Sequence, residues 1–364
     1  MSGPTVNERA RKTAGRTESP RVRLAVRFLK RWFWMLAMIV AGLASTPEPA
    51  RAWGQYGHLA VCDLAYRNFT PATRDAIVSL LRSRSGGILV KGRGKLPDRR
   101  YTSFNLGCLE EDARPRRHPD DHFINVTREV QTIDGPTCPG NGDCILSGIT
   151  RDLDILKDAS KSDEERVFAL MALGHWIGDI HQPLHVSFAD DLGGNGVLAT
   201  VERRCGSSTY RVKNLHGVWD NCLLEAGPFE RVRKRADFKK SWGKNTITYR
   251  VVDTLQANTS LSDERAMVGG EPWRWAAESY EITLEPDTLY CTQRDGACRY
   301  SQTVDTLKRR APKRTQPVSQ AYLAQFAPVA EQRVKLAGFR LAHLINGALD
   351  PSYSGPVQNS TQAP

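Results

Sequence analysis

Two histidine–aspartate pairs in this chain repeat one spacing, and that spacing asks for helices. His175 and Asp179 stand four apart, and so do His216 and Asp220. Residues at i and i+4 share a helix face, so each pair can aim both side chains at one point. A lone pair of this kind is usually a surface pair or a satisfied core histidine. Two of them, separated by the His-x-x-x-His run of His181 and His185, are much less expected by chance. His122 with the upstream Asp98 forms a third candidate pair. A donor set of nitrogen and oxygen suits zinc.

Helical signals dominate the rest of the chain. Ser162-x-x-Glu165 is a capping box that opens onto Val167, Phe168, Leu170 and Met171. That helix should run to about Ile180, because Pro183 prevents its continuation. The segment from Asn214 to Asp220 leads into Leu223 and Leu224 and reads as another helix start. Ala330, Val334, Ala337, Leu341 and Leu344 predict a helix from Pro328 to a stop at Gly347. Few segments alternate with period two. Leu198–Arg203 and Thr209–Val212 predict a small β-hairpin after Gly193-Gly194-Asn195-Gly196. The fold class is therefore mainly α: a single helical domain with a small hairpin and long loops. The polar tail 351–364 reads as disordered, and basic Lys308–Lys313 reads as a solvated loop.

The net charge of +11 invites a nucleic-acid partner, but most of it sits at the start. Residues 1–52 carry ten Lys/Arg and three Asp/Glu, whereas the remainder carries 41 and 37. That first stretch is built like a leader. Basic residues run to Arg31, and the apolar Trp32–Ala44 is too short to span a bilayer comfortably. Ala50-Arg51-Ala52 then offers the small residues a signal peptidase requires. Residues 1–52 thus read as a cleaved signal peptide, with an uncleaved anchor as the competing reading. A secreted or periplasmic protein follows, without stable membrane association after cleavage, and expected to be a monomer. All eight cysteines lie after the leader, and an even number in an exported chain reads as disulfides. Cys138/Cys144 and Cys291/Cys298 look like local pairs. Cys62, Cys108, Cys205 and Cys222 leave three connectivities open.

Trp53-Gly-Gln-Tyr-Gly-His58 stands at the predicted mature N-terminus. Asp98, His122-Phe-Ile-Asn125 and His175-Trp-Ile-Gly-Asp179-Ile-His-Gln-Pro-Leu-His185 follow. Gly193-Gly194-Asn195 and Asn214-Leu-His216-Gly-Val-Trp-Asp220 complete the series. From Trp53 to about Gly347 the chain resembles the S1/P1 nuclease family, whose relatives include the zinc phospholipases C. The resemblance makes residues 53–350 one catalytic domain of that type and implies a trinuclear zinc site. Asp98, His122, His175 and Asp179 would hold one ion. Trp53, through its free α-amine and carbonyl oxygen, would hold a second with His58 and the bridging Asp179. His185, His216 and Asp220 would hold the third.

The implied activity is hydrolysis of single-stranded DNA and RNA to 5′-phosphorylated products, with 3′-nucleotidase activity in addition. Asp98 and Asp179 would serve the chemistry. Phe123 would stack on a base, Asn125 would hydrogen-bond a base edge, and Asn195 would shape the pocket. His118 and His181 read as residues outside the ligand set. Two features depart from the family pattern. Lys95-Leu96-Pro97-Asp98 replaces a Trp-Ala-Asp, and Tyr101 stands where an arginine is common, which leaves Arg99 or Arg100 to supply that charge. A phospholipase C of the same fold and an inactive zinc-binding relative are the alternatives. Asp220 in its Trp-Asp context favours the nuclease, because the phospholipases tend to carry glutamate there.

Overall fold

The computed structural model describes residues 53–82, 88–90, 99–101, 103–113, 115–140, 142–202, 205, 212–300 and 316–356. The leader 1–52, Asp98 and the stretch Lys308–Lys313 lie outside the described residues. The helices are α1 (Gln55–Arg67), α2 (Pro71–Arg82), α3 (Phe104–Gly107), α4 (Ile145–Lys157), α5 (Asp163–Ile180) and α6 (Leu215–Gly217). They continue with α7 (Leu223–Ala226), α8 (Pro228–Arg233), α9 (Lys244–Ala257), α10 (Leu261–Met267), α11 (Pro272–Leu284) and α12 (Gln320–Leu349). The protein is mainly helical, as its spacings predict. No described helix is long and apolar enough to cross a membrane.

Helix α5 is the centre of the packing. The Ser162 hydroxyl accepts from the Glu165 N–H, the Glu165 carboxylate accepts from the Ser162 N–H, and the helix ends at Ile180. Every residue from Ala169 to Ile180 is buried, so this helix is covered on all faces. Helices α1, α4, α11 and α12 pack around it. Two glycines let neighbours come close. A Cβ on Gly174 would stand 2.3 Å from Cys108 Sγ, and one on Gly178 would stand 2.7 Å from His58 Nδ1.

The sheets are small and serve as ties. β1 (Ile88–Val90) pairs antiparallel with β2 (Arg99–Tyr101). β3 (Ile124–Val126) pairs parallel with β4 (Val186–Phe188), in the register Ile124↔Val186. Because His122 and His185 immediately precede these strands, that ladder brings two distant histidines together. β6 (Thr292–Arg294) and β7 (Ala297–Arg299) form a hairpin across Cys291–Cys298. Of the hairpin expected after the glycine loop, Arg203 and Thr209–Arg211 lie outside the described residues, and an isolated antiparallel bridge joins Leu198 to Asn214. Its strand β5 (Ala199–Val201) takes another partner for its ladder, pairing parallel with β8 (Gln316–Val318). Local alternation carries no information about so remote a partner.

All eight cysteines are paired: Cys138–Cys144 and Cys291–Cys298 as expected, with Cys62–Cys108 and Cys205–Cys222 resolving the remaining four. On chain-entropy grounds the two longer links stabilise by roughly 3–4 kcal/mol each.

The last helix corrects its expected limits. α12 begins at Gln320, where the Ser319 hydroxyl accepts from the Tyr322 N–H, and it passes through both Pro328 and Gly347. Tyr322, Leu323 and Phe326 are buried on the added turns, and that burial outweighs the broken helical bond at proline. Pro328 itself is exposed. Pro328→Ala is therefore expected to stabilise the protein by about 1–3 kcal/mol, read as a higher midpoint in chemical unfolding.

Candidate metal centre

Three groups of histidine and carboxylate side chains meet beside α5: His58/Asp112/His175, His122/His175/Asp179 and His185/His216/Asp220. Within each group the potential ligand atoms lie within 4.8 Å of one another. Asp179 is fully buried. His58 Nε2 lies 3.2 Å from one of its carboxylate oxygens. His122 Nδ1 and His175 Nε2 lie 3.0 and 3.4 Å from the other. His58 comes from α1, His122 from the turn before β3, and His175 from the turn of α5 above Asp179. Trp53 is fully buried, and the neighbouring Gly54 N–H donates to the Asp220 carbonyl at 2.8 Å.

The hydrogen bonds fix which nitrogen of each ring is bare. His175 Nδ1 donates to the Cys108 carbonyl at 2.7 Å, and His216 Nδ1 donates to the Gly193 carbonyl at 2.6 Å. His185 Nδ1 donates to the His122 carbonyl. A carbonyl can only accept, so in the neutral rings the lone pair is on Nε2. The Nε2 atoms of His185 and His216 nevertheless face each other at 3.0 Å. His175 Nε2 likewise faces Asp179 and, at 3.9 Å, Asp112. Lone pair against lone pair is repulsive unless a cation lies between. Buried Nε2 of His58, Nε2 of His175 and one Asp179 oxygen have no hydrogen-bond partner. Orphaned acceptors converging in threes, with backbone carbonyls behind the imidazoles, fit metal ions with nitrogen and oxygen ligands.

Electrostatics point the same way. Burial pushes the Asp179 and Asp220 carboxyls well above the carboxylate range. It holds His58, His122 and His185 well below the imidazole range, and pushes His216 down to about 4. The dry surroundings disfavour charge on these side chains. A bound cation reverses that preference, because its own charge favours the carboxylates.

Sequence reasoning missed two residues here. Asp112 joins His58 and His175, and the Arg116 guanidinium bonds the Asp112 carboxylate at 2.6 Å. The Arg116 charge acts on histidines or carboxylates of all three groups. The signal was a pair of spacings. His58 and Cys62 are four apart, as are Cys108 and Asp112, and the Cys62–Cys108 disulfide carries both ligands to one place. With the connectivity open, that signal could not be used.

His216 and Asp220 lie on a less regular element than their spacing suggests. Asn214 caps α6 by accepting from the Gly217 N–H, and a π-helical turn, Val218–Cys222, follows directly. His216 Nε2 and Asp220 reach 3.5 Å across it. Gln182 donates to the Asp220 carboxylate at 2.6 Å. The glycine loop behind His216 is anchored by a buried ion pair. Arg128 bonds Asp191 at 3.0 Å, and Asp191 also accepts from the Gly194 N–H at 2.9 Å and from Tyr290. This chain of contacts holds the Gly193 carbonyl under the His216 ring.

Phe123 is partly buried directly after His122, and Asn125 is partly buried on β3 opposite Ser187. Asn195 donates to the Leu192 carbonyl and accepts from Asn214, so it braces the loop against the cap of α6. Leu192, at φ 58°, is 66% exposed on that loop. His181 is buried between the Ile177 carbonyl and Arg340, away from the three groups, and His118 pairs with Glu111. Asp191→Asn is expected to lower zinc affinity at His185/His216/Asp220 by about 10–100-fold. Competition with a chelator reads this, and the far-UV spectrum is expected to stay unchanged.

The S1/P1 Nuclease family model matches residues 53–350. Endonuclease 4 of Arabidopsis thaliana is 27% identical over 87% of this chain and 95% of that enzyme. Nuclease S1 of Aspergillus oryzae is 26% identical over 84% of this chain and 95% of that enzyme. Nuclease P1 of Penicillium citrinum is 24% identical over 81% of this chain and 97% of that enzyme. With a match across most of its length, and with its histidines and aspartates gathered as a metal centre requires, the chain belongs to the S1/P1 nuclease family of zinc-dependent hydrolases that cleave phosphodiester bonds.

Proposed function

We propose that the mature protein starts at Trp53 and is an exported endonuclease for single-stranded DNA and RNA, working with three zinc ions. The observation that carries this is the convergence of imidazole nitrogens on carboxylates, two of them buried, in three groups. Asp112, His122, His175 and Asp179 hold one ion. His58, Asp179 and the α-amine and carbonyl of Trp53 hold the second. His185, His216 and Asp220 hold the third. In this reading Asp112 takes the place that the sequence gives to Asp98, since Asp112 stands beside His175. Zinc bound there supplies Lewis-acid polarisation of the phosphate and a water acidified to roughly pKa 7.

The chain's own residues do the rest. Arg116, held by Asp112, offers a fixed positive charge to the anionic phosphate and its charge-rich transition state. The partly buried Phe123 and the exposed Leu192 offer apolar faces to a base, which any base can use. Asn125 offers an amide to a base edge. Nothing in that set requires a second strand, and unstacked bases are what such faces hold. The 5′-phosphorylated products and a 3′-nucleotidase activity belong to the same reading. So does secretion or export to the periplasm, which the four disulfides suit.

The direct test assays protein beginning at Trp53 on single-stranded DNA, RNA and phosphatidylcholine, with and without a chelator. Chelator-sensitive cleavage of the nucleic acids is expected, and hydrolysis of lipid alone would end the proposal. Asp112→Asn is expected to cost at least about 100-fold in kcat and to lower bound zinc. If Asp98→Asn has that effect and Asp112→Asn does not, the ligand assignment is wrong. A chain that keeps Ala52 has an amide where the ligand amine should be. It is expected to hold less zinc than the chain starting at Trp53, by metal analysis after dialysis.

A further inference from the structure

One of the basic stretches that follow position 52 lies beside α1. Residues 228–250 hold eight Lys/Arg against two Asp/Glu, a balance of +6, although everything after position 52 sums to only +4. Arg82–Tyr101, with seven Lys/Arg against one Asp, and Lys308–Arg314 are further basic runs, the first largely and the second wholly outside the described residues. Within 228–250, half of the cations are already paired. Arg231 meets Glu331, Lys234 meets Glu230, Arg235 meets Asp237 and Arg250 meets Asp253. Arg233, Lys239, Lys240 and Lys244 have no carboxylate in ion-pair reach among the described residues, and the three lysines are exposed.

Aromatic rings are set among these charges. Arg233 and Lys244 stand over the Tyr56 ring at 6.0 and 5.4 Å, and Arg250 stands over Trp242 at 5.5 Å. Trp242 and Phe238 meet edge to face at 5.6 Å, and both are partly exposed. The strip starts at the metal-centre end of α1. Lys244 donates to Gln55, two residues from Trp53, and Tyr56 packs on Phe229 at the start of α8. A row of cations interleaved with aromatic faces is what a single nucleic-acid strand is held by: phosphates on the charges, bases on the rings.

Resting on the nuclease reading above, we propose that Arg233, Lys239, Lys240 and Lys244 form a track for the polynucleotide backbone outside the scissile phosphate. The strip would make the enzyme favour polymers over short fragments by KM, with kcat left to the metal centre. It gives a role to four cations that have no carboxylate in ion-pair reach among the described residues.

The test replaces all four with glutamine in the mature holoenzyme. Binding is measured with a phosphorothioate oligothymidylate across a salt series, and turnover with long single-stranded DNA and with bis(p-nitrophenyl) phosphate. The variant is expected to raise KM for the polymer at least about tenfold and to leave kcat/KM for the small diester unchanged. The slope of log affinity against log salt should flatten by up to about 2.8, at about 0.7 for each lost phosphate contact on a single strand. A variant exchanging Lys for Arg and Arg for Lys at the four positions should keep polymer affinity. Unchanged polymer KM, or equal losses on both substrates, would overturn the track. So would a strip whose loss abolishes binding to anionic phospholipid vesicles and leaves oligonucleotide binding intact. A wild-type protein that binds the oligonucleotide through these residues but cleaves no nucleic acid would overturn the nuclease reading instead.

Discussion

The Asp179 carboxylate sets the terms for the rest of the molecule. It has no exposure, and the side chains nearest to it are imidazoles that burial keeps neutral. An uncompensated carboxylate in such a place costs several kcal/mol, and neutral rings do not offset that. A shared cation does, which makes metal binding part of the folding free energy rather than an event after folding. The surrounding helices can then be read as the means of bringing ligands from remote segments to one buried oxygen pair.

Close approach is what makes this possible. Gly178, the residue before Asp179, leaves room for the His58 ring, and Gly174 leaves room for a disulfide against the helix. That disulfide delivers the Cys108 carbonyl to His175 and Asp112 to the same corner. The β3–β4 ladder, only three residues long, sets His122 against His185. Each tie is short, and each acts within a residue or two of a ligand.

What could be read from the sequence follows from the range of the forces involved. The capping box at Ser162 and the four-residue spacings are local, and local geometry decides them. α5 accordingly ends where Pro183 says it should. The ends of α12 were not legible from proline and glycine alone, because burial of Tyr322 and Phe326 overrides the local penalty at Pro328. The regular helix expected at His216–Asp220 is instead a cap, a short α turn and a π turn. Asp112 was hidden for a different reason: its role depends on which cysteine finds which, and the spacing of four cysteines left three answers. The partner of β5 lies more than a hundred residues away and has no local trace.

The Cys62–Cys108 link has a further consequence, for the conditions in which the metal-binding side chains are gathered. A chain held in a reducing compartment keeps its thiols apart, and nothing else described in this corner fastens the Asp112 segment to α1 covalently. His58 and Asp112 then rely for their meeting on packing and on hydrogen bonds such as that from Asn105 to Asp63. Oxidation of this pair makes that meeting covalent at one corner of the candidate metal centre. Thiol chemistry, in this fold, therefore bears on the gathering of metal-binding side chains as well as on stability.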